Sequence, residues 1–168
     1  MSVKLDSLQR VFVAQLKDMY SAEHQLLDVL PRLHEAATSQ KLKDAFREHM
    51  EETQGQIARI DSIFETLDFE PGGHRCEAMD GLVKEAKEII NEDGEPEAKD
   101  AALICAAQKI EHYEIATYGS LRAYARVLDL DKAYKLLHKT LEEERSADSL
   151  LTDLAENTIN RLAMLAAN

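Results

Sequence analysis

The stretch Ala101–Ala125, AALICAAQKIEHYEIATYGSLRAYA, decides how the chain is read. Its inward candidates Ala107, Glu111, Glu114, Tyr118, Leu121 and Ala125 recur at alternating spacings of four and three. That is the repeat of a helix with one buried stripe. Two carboxylates therefore stand on the stripe that should enter a core. Glu114 holds the inward place whichever neighbour is counted, whereas Glu111 competes with Ile110 for it.

The same rhythm runs through the flanking segments. Residues 5–37 read as a first long helix with Phe12, Leu16, Met19, Glu23, Leu26 and Leu30 on its stripe; Pro31 should kink it or shift its end. Residues 41–67 read as a second, with Phe46, His49, Glu52, Gln56 and Ile60 in a looser series where Thr53 could equally take the inward place. The stretch around Ala101–Ala125 belongs to a third, residues 97–128, opened by Pro96 in its first turn. Residues 132–161 make a fourth, carrying Leu137, Leu141, Glu144, Asp148 and Leu151, with a tail that should fray.

The breaks are equally plain. Pro71, Gly72 and Gly73 interrupt the chain after the second helix, and NEDGEPE interrupts it before the third. A shorter helix, residues 76–91, lies between these breaks. Short loops join the first helix to the second and the third to the fourth, so each pair predicts an antiparallel hairpin. The expected fold is all-α, one domain over residues 1–168: a four-helix bundle with one long crossover that contains a short extra helix.

Composition narrows the function classes. With 45% hydrophobic residues, 31% charged, no Trp, 6 Gly and 3 Pro, the chain suits long helices around a real core. A net charge of −12 disfavours nucleic acid and anionic membranes as partners. The 2 cysteines, Cys76 and Cys105, form no CxxC and no disulfide framework. Together with the lack of a signal-type or membrane-spanning apolar run, this predicts a cytoplasmic protein.

Each long helix thus offers at least one acid at mid-height on its inward face. Burying an ionised carboxylate costs several kcal/mol, and carboxylates within ~6 Å raise one another's pKa. The inward stripes supply no Lys or Arg at that level, so a bound cation is the economical way to neutralise the layer. Oxygen donors with a few nitrogens suit Fe or Mn better than a structural zinc. The candidate ligands are Glu23, Glu52, Glu111, Glu114, Glu144 and Asp148, with His49 and Gln56 as weaker ones. His24 and His112 are turned off the faces of their neighbouring glutamates, by ~100° per residue. Tyr20 and Tyr118 each lie one turn from a candidate glutamate, placed either for core packing or for a hydrogen bond to a ligand. Cys76, at the start of the crossover helix, reads as a buried inert thiol.

At AQLKDMYSAEHQLLDVLPRL, HMEETQGQIARI, CEAMDGLVKEA, IEHYEIATYGSL and TLEEERSADSLL the sequence resembles the YciE/YciF family of bacterial ferritin-like proteins, over about residues 5–159. The resemblance implies a ferritin-like bundle, often dimeric, with a di-iron-type site and a link to stress responses. The wider rubrerythrin-like pattern places Glu on the first helix, ExxH on the second, ExxE on the third and ExxH on the fourth. Glu23, Glu52, Glu111 with Glu114, and Glu144 match its glutamates; Gly55 and Ala147 stand where its histidines would be. The four-cysteine pattern of a rubredoxin-like iron site is missing.

Two readings follow. In one, the protein binds metal, most readily a di-iron pair with Mn or Zn as alternatives, and acts in oxidative or general stress as a homodimer. In the other, it is a non-catalytic structural or interaction protein whose acidic layer is metal-free or holds metal only for stability. Whether it is an enzyme is open between them.

Overall fold

The Ser7 hydroxyl sets where the bundle begins, because its Oγ accepts from the Arg10 backbone N–H at 3.2 Å and caps the helix that follows. The computed structural model describes residues 5–67 and 69–166. In chain order the elements are α1 (Leu8–Ala36), α2 (Gln40–Leu67), α3 (Glu77–Asn91), α4 (Pro96–Val127), α5 (Asp131–Leu154), a π-helical turn (Ala155–Ile159) and α6 (Asn160–Ala166).

These bounds lie close to the expected ones, with two corrections. The first helix starts at Leu8 rather than at residue 5, since the Ser7 cap fixes its first turn. The last long helix does not end near Arg161. It widens through the π turn and continues helically to Ala166. Pro31 lies inside α1, which runs on to Ala36.

α1 packs on α2 and α4 on α5 as two hairpins; α2 against α5 and α1 against α4 close the bundle. α3, the crossover helix, lies against α1 and α4, and α6 continues from α5 through the π turn and packs along α4. The result is a ferritin-like bundle, held by an apolar core that includes Phe12, Leu16, Met19, Phe64, Leu103, Tyr118, Leu121 and Leu141. Because α4 meets α1, α3, α5 and α6, it is buried over a broad arc, and Ile110 and Glu111 are both inside.

Two polar fastenings fix the connections. At one end of the bundle, buried Asp100 accepts from the backbone N–H groups of Thr38 and Ser39, each at 2.7 Å, tying the α1–α2 corner to the start of α4. Along the side, Asp18 of α1 anchors the crossover. Its Oδ2 accepts from the Tyr113 hydroxyl at 2.6 Å and the Cys76 thiol at 3.2 Å, and its Oδ1 pairs with His74 at 2.8 Å. Cys76 also caps α3 through its sulfur, and its backbone N–H donates to Ser21 Oγ at 3.0 Å. Just before it, Gly72 and Gly73 take φ of 82° and 75°, a left-handed turn that favours glycine and swings the chain into the crossover.

Candidate metal centre

The inward stripes of α1, α2, α4 and α5 converge at mid-height. Glu23, Glu114 and Glu144 are each 0% exposed, Glu111 is 2% exposed and His49 5%. One donor atom from each of His49, Glu111, Glu114 and Glu144 lies within 4.8 Å of the others. Glu23 borders this group, and its Oε1 accepts a hydrogen bond from the Tyr118 hydroxyl one turn beyond Glu114.

The layer is poorly satisfied from within. Both carboxylate oxygens of Glu114, one oxygen each of Glu23, Glu111 and Glu144, and both ring nitrogens of His49 are buried without a hydrogen-bond partner among the described residues. His49 Nε2 faces Glu111 Oε1 at 3.3 Å, and its Nδ1 faces Glu52 Oε2 at 3.7 Å. Gln56 donates to Glu144, which leaves the Gln56 carbonyl oxygen without a partner as well. Native interiors rarely leave such groups unpaired, and each one calls for a physical explanation.

Electrostatics follow from burial and crowding. Burial first, then the Glu144 charge, push the Glu23 carboxyl up to about 8, although the Tyr118 hydroxyl, His49 and Arg59 pull it down. Burial raises Glu111, and Glu144 and Asp148 add to this against the opposing pull of His49. Glu114 is raised by burial and then by Glu23, Glu144 and Glu111. Burial also raises Glu144, against His49. Burial alone would lower the His49 imidazolium; Glu111, then Glu52, Glu144 and Glu23 outweigh it and carry the ring up to about 10. Without a cation, the layer is thus held together by protons that several acids share with one imidazole.

The remaining candidates lie outside this group. Glu52 is half-buried, because α2 turns Thr53 and Gln56 inward instead. Its carboxylate faces His49 at 3.7 Å, and its charge adds to the rise of Glu144. Asp148 is also half-buried, accepts from Gln108 at 3.2 Å and pairs with exposed His112 at 3.3 Å. Tyr20 packs edge-on against His24 and Phe64 and bonds to Asp61, away from the cluster. Arg59 is partly buried near this level, but it pairs with Glu143 and donates to Thr140 Oγ1 at 2.9 Å.

The donors available fit a hard-to-intermediate divalent cation. With Glu23 counted, they are carboxylate oxygens from three helices and one imidazole nitrogen from a fourth, with no thiolate among them. The histidine comes one turn before Glu52, not one turn after it, so the nitrogen enters α2 from the opposite side to that in an ExxH arrangement.

Relatives place this geometry in a family. A family model described as a domain of unknown function, DUF892, matches residues 7–164. Protein YciF of Escherichia coli (strain K12) is 48% identical over 162 residues, 96% of this chain and 98% of that protein. The crystal structure of the E. coli stress protein YciF superposes with a TM-score of 0.89, covering 93% of this chain and 99% of that one. YcfI from Rhodopseudomonas palustris, to which a structural role is ascribed, is 39% identical with a TM-score of 0.86, covering 90% of this chain and 97% of that one. A Xanthomonas campestris protein at 19% identity and a TM-score of 0.78, covering 96% of this chain and 100% of that one, shares the fold. With the model matched almost end to end and YciF so similar in both sequence and structure, this chain belongs to the DUF892 family, among the relatives of the stress protein YciF.

Proposed function

We propose that the protein is a metal-binding stress protein whose acidic layer holds a pair of divalent cations, iron by preference, with Mn or Zn as alternatives. The observation that carries this is the set of buried, unpartnered oxygens and nitrogens on Glu23, His49, Glu111, Glu114 and Glu144. A cation would give each of them a partner and displace the shared protons at the same time. Glu23, His49, Glu111, Glu114 and Glu144 would hold the ions. Glu52, Asp148 and Gln56 would act from the margin through the groups they touch. Iron so placed supplies electron transfer to dioxygen or peroxide. The chain's part is to exclude water, hold Glu23 through the Tyr118 hydroxyl and hold Glu144 through Gln56. The homodimer expected from the resemblance is part of this proposal, as is a cytoplasmic setting; no helix among the described residues is long and apolar enough to cross a membrane.

A second reading, a structural protein with no turnover, is favoured by the role ascribed to YcfI and by the single buried histidine where the rubrerythrin pattern has two. Metal analysis of protein purified without chelator, paired with melts in the presence and absence of Fe, Mn and Zn, separates the readings. Bound iron, a raised melting point and peroxide consumption support the first. Bound metal without turnover supports the second. A metal-free protein whose melting point ignores all three ions would sink the site.

A further inference from the structure

Next to the acidic layer is a cavity of about 130 Å³ that the metal reading leaves without a role. Its walls come from α1 after Glu23 (Leu26, Leu30), α2 before His49 (Ala45, Phe46), α4 before Glu111 (Ala107, Ile110) and α5 after Glu144 (Ala147, Leu151). Each helix contributes from the same side of the cluster, and His49 and Glu111 are the members of the acidic layer that line the cavity. On the other side of the layer the core is filled by Leu16, Met19, Tyr118, Leu121 and Leu141. Ala45, Ala107 and Ala147, small side chains from three helices, are among the residues lining the cavity.

Its chemistry is specific. The walls are apolar, and at the floor stand His49, whose ring nitrogens face Glu111 at 3.3 Å and Glu52 at 3.7 Å without forming a hydrogen bond, and Glu111, with one oxygen unpartnered. The mouth opens between α2 and α5 beside exposed Glu48, half-buried Glu52 and exposed Ser146. Carboxylates at the entrance of a protein with a net charge of −12 repel anions. For size, an apolar cavity of about 150 Å³ accepts benzene.

The geometry points to a binding site for a small, neutral, largely apolar molecule of roughly benzene size with a single hydroxyl end, seated with its ring or chain among Leu26, Leu30, Phe46 and Ile110 and its hydroxyl at His49 and Glu111. The hydroxyl oxygen accepts from the imidazole and its proton is donated to the free carboxylate oxygen, so the ligand satisfies groups the protein leaves open. Ordinary fatty acids and phosphorylated metabolites are excluded by the acidic mouth. This site goes beyond the metal reading and stands without it.

Phenol is the probe, with benzoate as the charged control of the same ring. Calorimetry and thermal shift on the full chain in chelator should show phenol binding with a Kd on the order of 1 mM or tighter, and no benzoate binding; iron, which would draw on the same His49 and Glu111, should weaken phenol binding. Ala147→Phe, at the half-buried mouth, should weaken phenol at least ~10-fold while leaving metal occupancy unchanged. Ala107→Val, deeper in the wall, gives an independent plug should the first variant fold poorly. Absence of phenol binding in the wild type, equal binding of benzoate, or undiminished binding in a folded plugged variant overturns the proposal. Metal binding is read separately in the same samples. Phenol binding without metal would defeat only the metal reading, and metal without phenol only this one.

Discussion

Helix α4 carries buried acids at two levels, and they are treated in opposite ways. Asp100, in its first turns, has both oxygens occupied by backbone N–H groups at 2.7 Å. Glu114, in its middle, has neither oxygen occupied. Both are almost fully enclosed, at 3% and 0% exposure, so burial does not distinguish them. What differs is whether the chain itself completes their coordination. An acid whose acceptors are filled by fixed donors is a fastening; an acid left incomplete inside a dry bundle is a place made for something that arrives later. The Asp18 group on α1 belongs with Asp100, since Tyr113, Cys76 and His74 occupy its oxygens.

The sharpest way to break this comparison is to remove each acid in turn. Glu114→Ala should abolish iron binding, as measured by metal content after dialysis, while the metal-free protein keeps its melting point or gains a few degrees, because an unpaired buried carboxyl is gone. Unchanged occupancy would show that the ligand assignment is wrong. Asp100→Ala should do the reverse. It leaves two enclosed N–H groups without acceptors and should cost about 3 kcal/mol in urea unfolding, with metal content intact. If Asp100→Ala proved harmless, the distinction between filled and unfilled acids would lose its energetic basis.

A smaller, graded effect follows from protonation. The Glu23 carboxyl is raised from 4.5 to about 8 on folding, so its contribution is full below 4.5 and is lost as pH rises towards 8. His49 is raised from 6.5 to about 10, so its contribution is full below 6.5 and is lost as pH rises towards 10. Both act in the same direction. Metal-free protein should lose stability steadily from pH 5 to pH 9, by at most ~1.4 kcal/mol per unit for each group. Iron should flatten the profile, since the cation replaces the protons. Urea unfolding at three pH values, with and without chelator, checks this; a metal-free stability that rises with pH would contradict the shared-proton description.

Much of this was legible in the sequence, and the exceptions have physical causes. Glu23 and Glu144 follow from rhythm alone, because the buried apolar residues on either side of each keep the spacing of three and four. α2 was ambiguous, since Glu52 and Thr53 compete for one inward place and only the partner helices decide the rotation. Thr53 wins and bonds back to the His49 carbonyl at 2.8 Å, moving Glu52 to the flank and committing His49 to the interior. On α4, Ile110 and Glu111 did not have to compete, because contacts with α1, α3, α5 and α6 bury a wide arc. The Asp100 fastening, the Asp18 clasp and the cavity depend on residues from separate helices meeting. Ala45, Ala107 and Ala147 come from three different helices, and only the folded bundle brings them to the wall of one cavity.

The crossover clasp has a kinetic consequence. The chain contains two thiols in contrasting settings: Cys105 lies exposed on α4, and Cys76 is enclosed beneath the start of α3, held to Asp18 and Tyr113. A thiol reagent meets Cys105 at once and reaches Cys76 only when the crossover lifts from α1 and α4. The unmodified protein therefore carries its own stopwatch. The ratio of the two labelling rates reports how often the strap between its hairpins opens, with the exposed cysteine setting the zero of time.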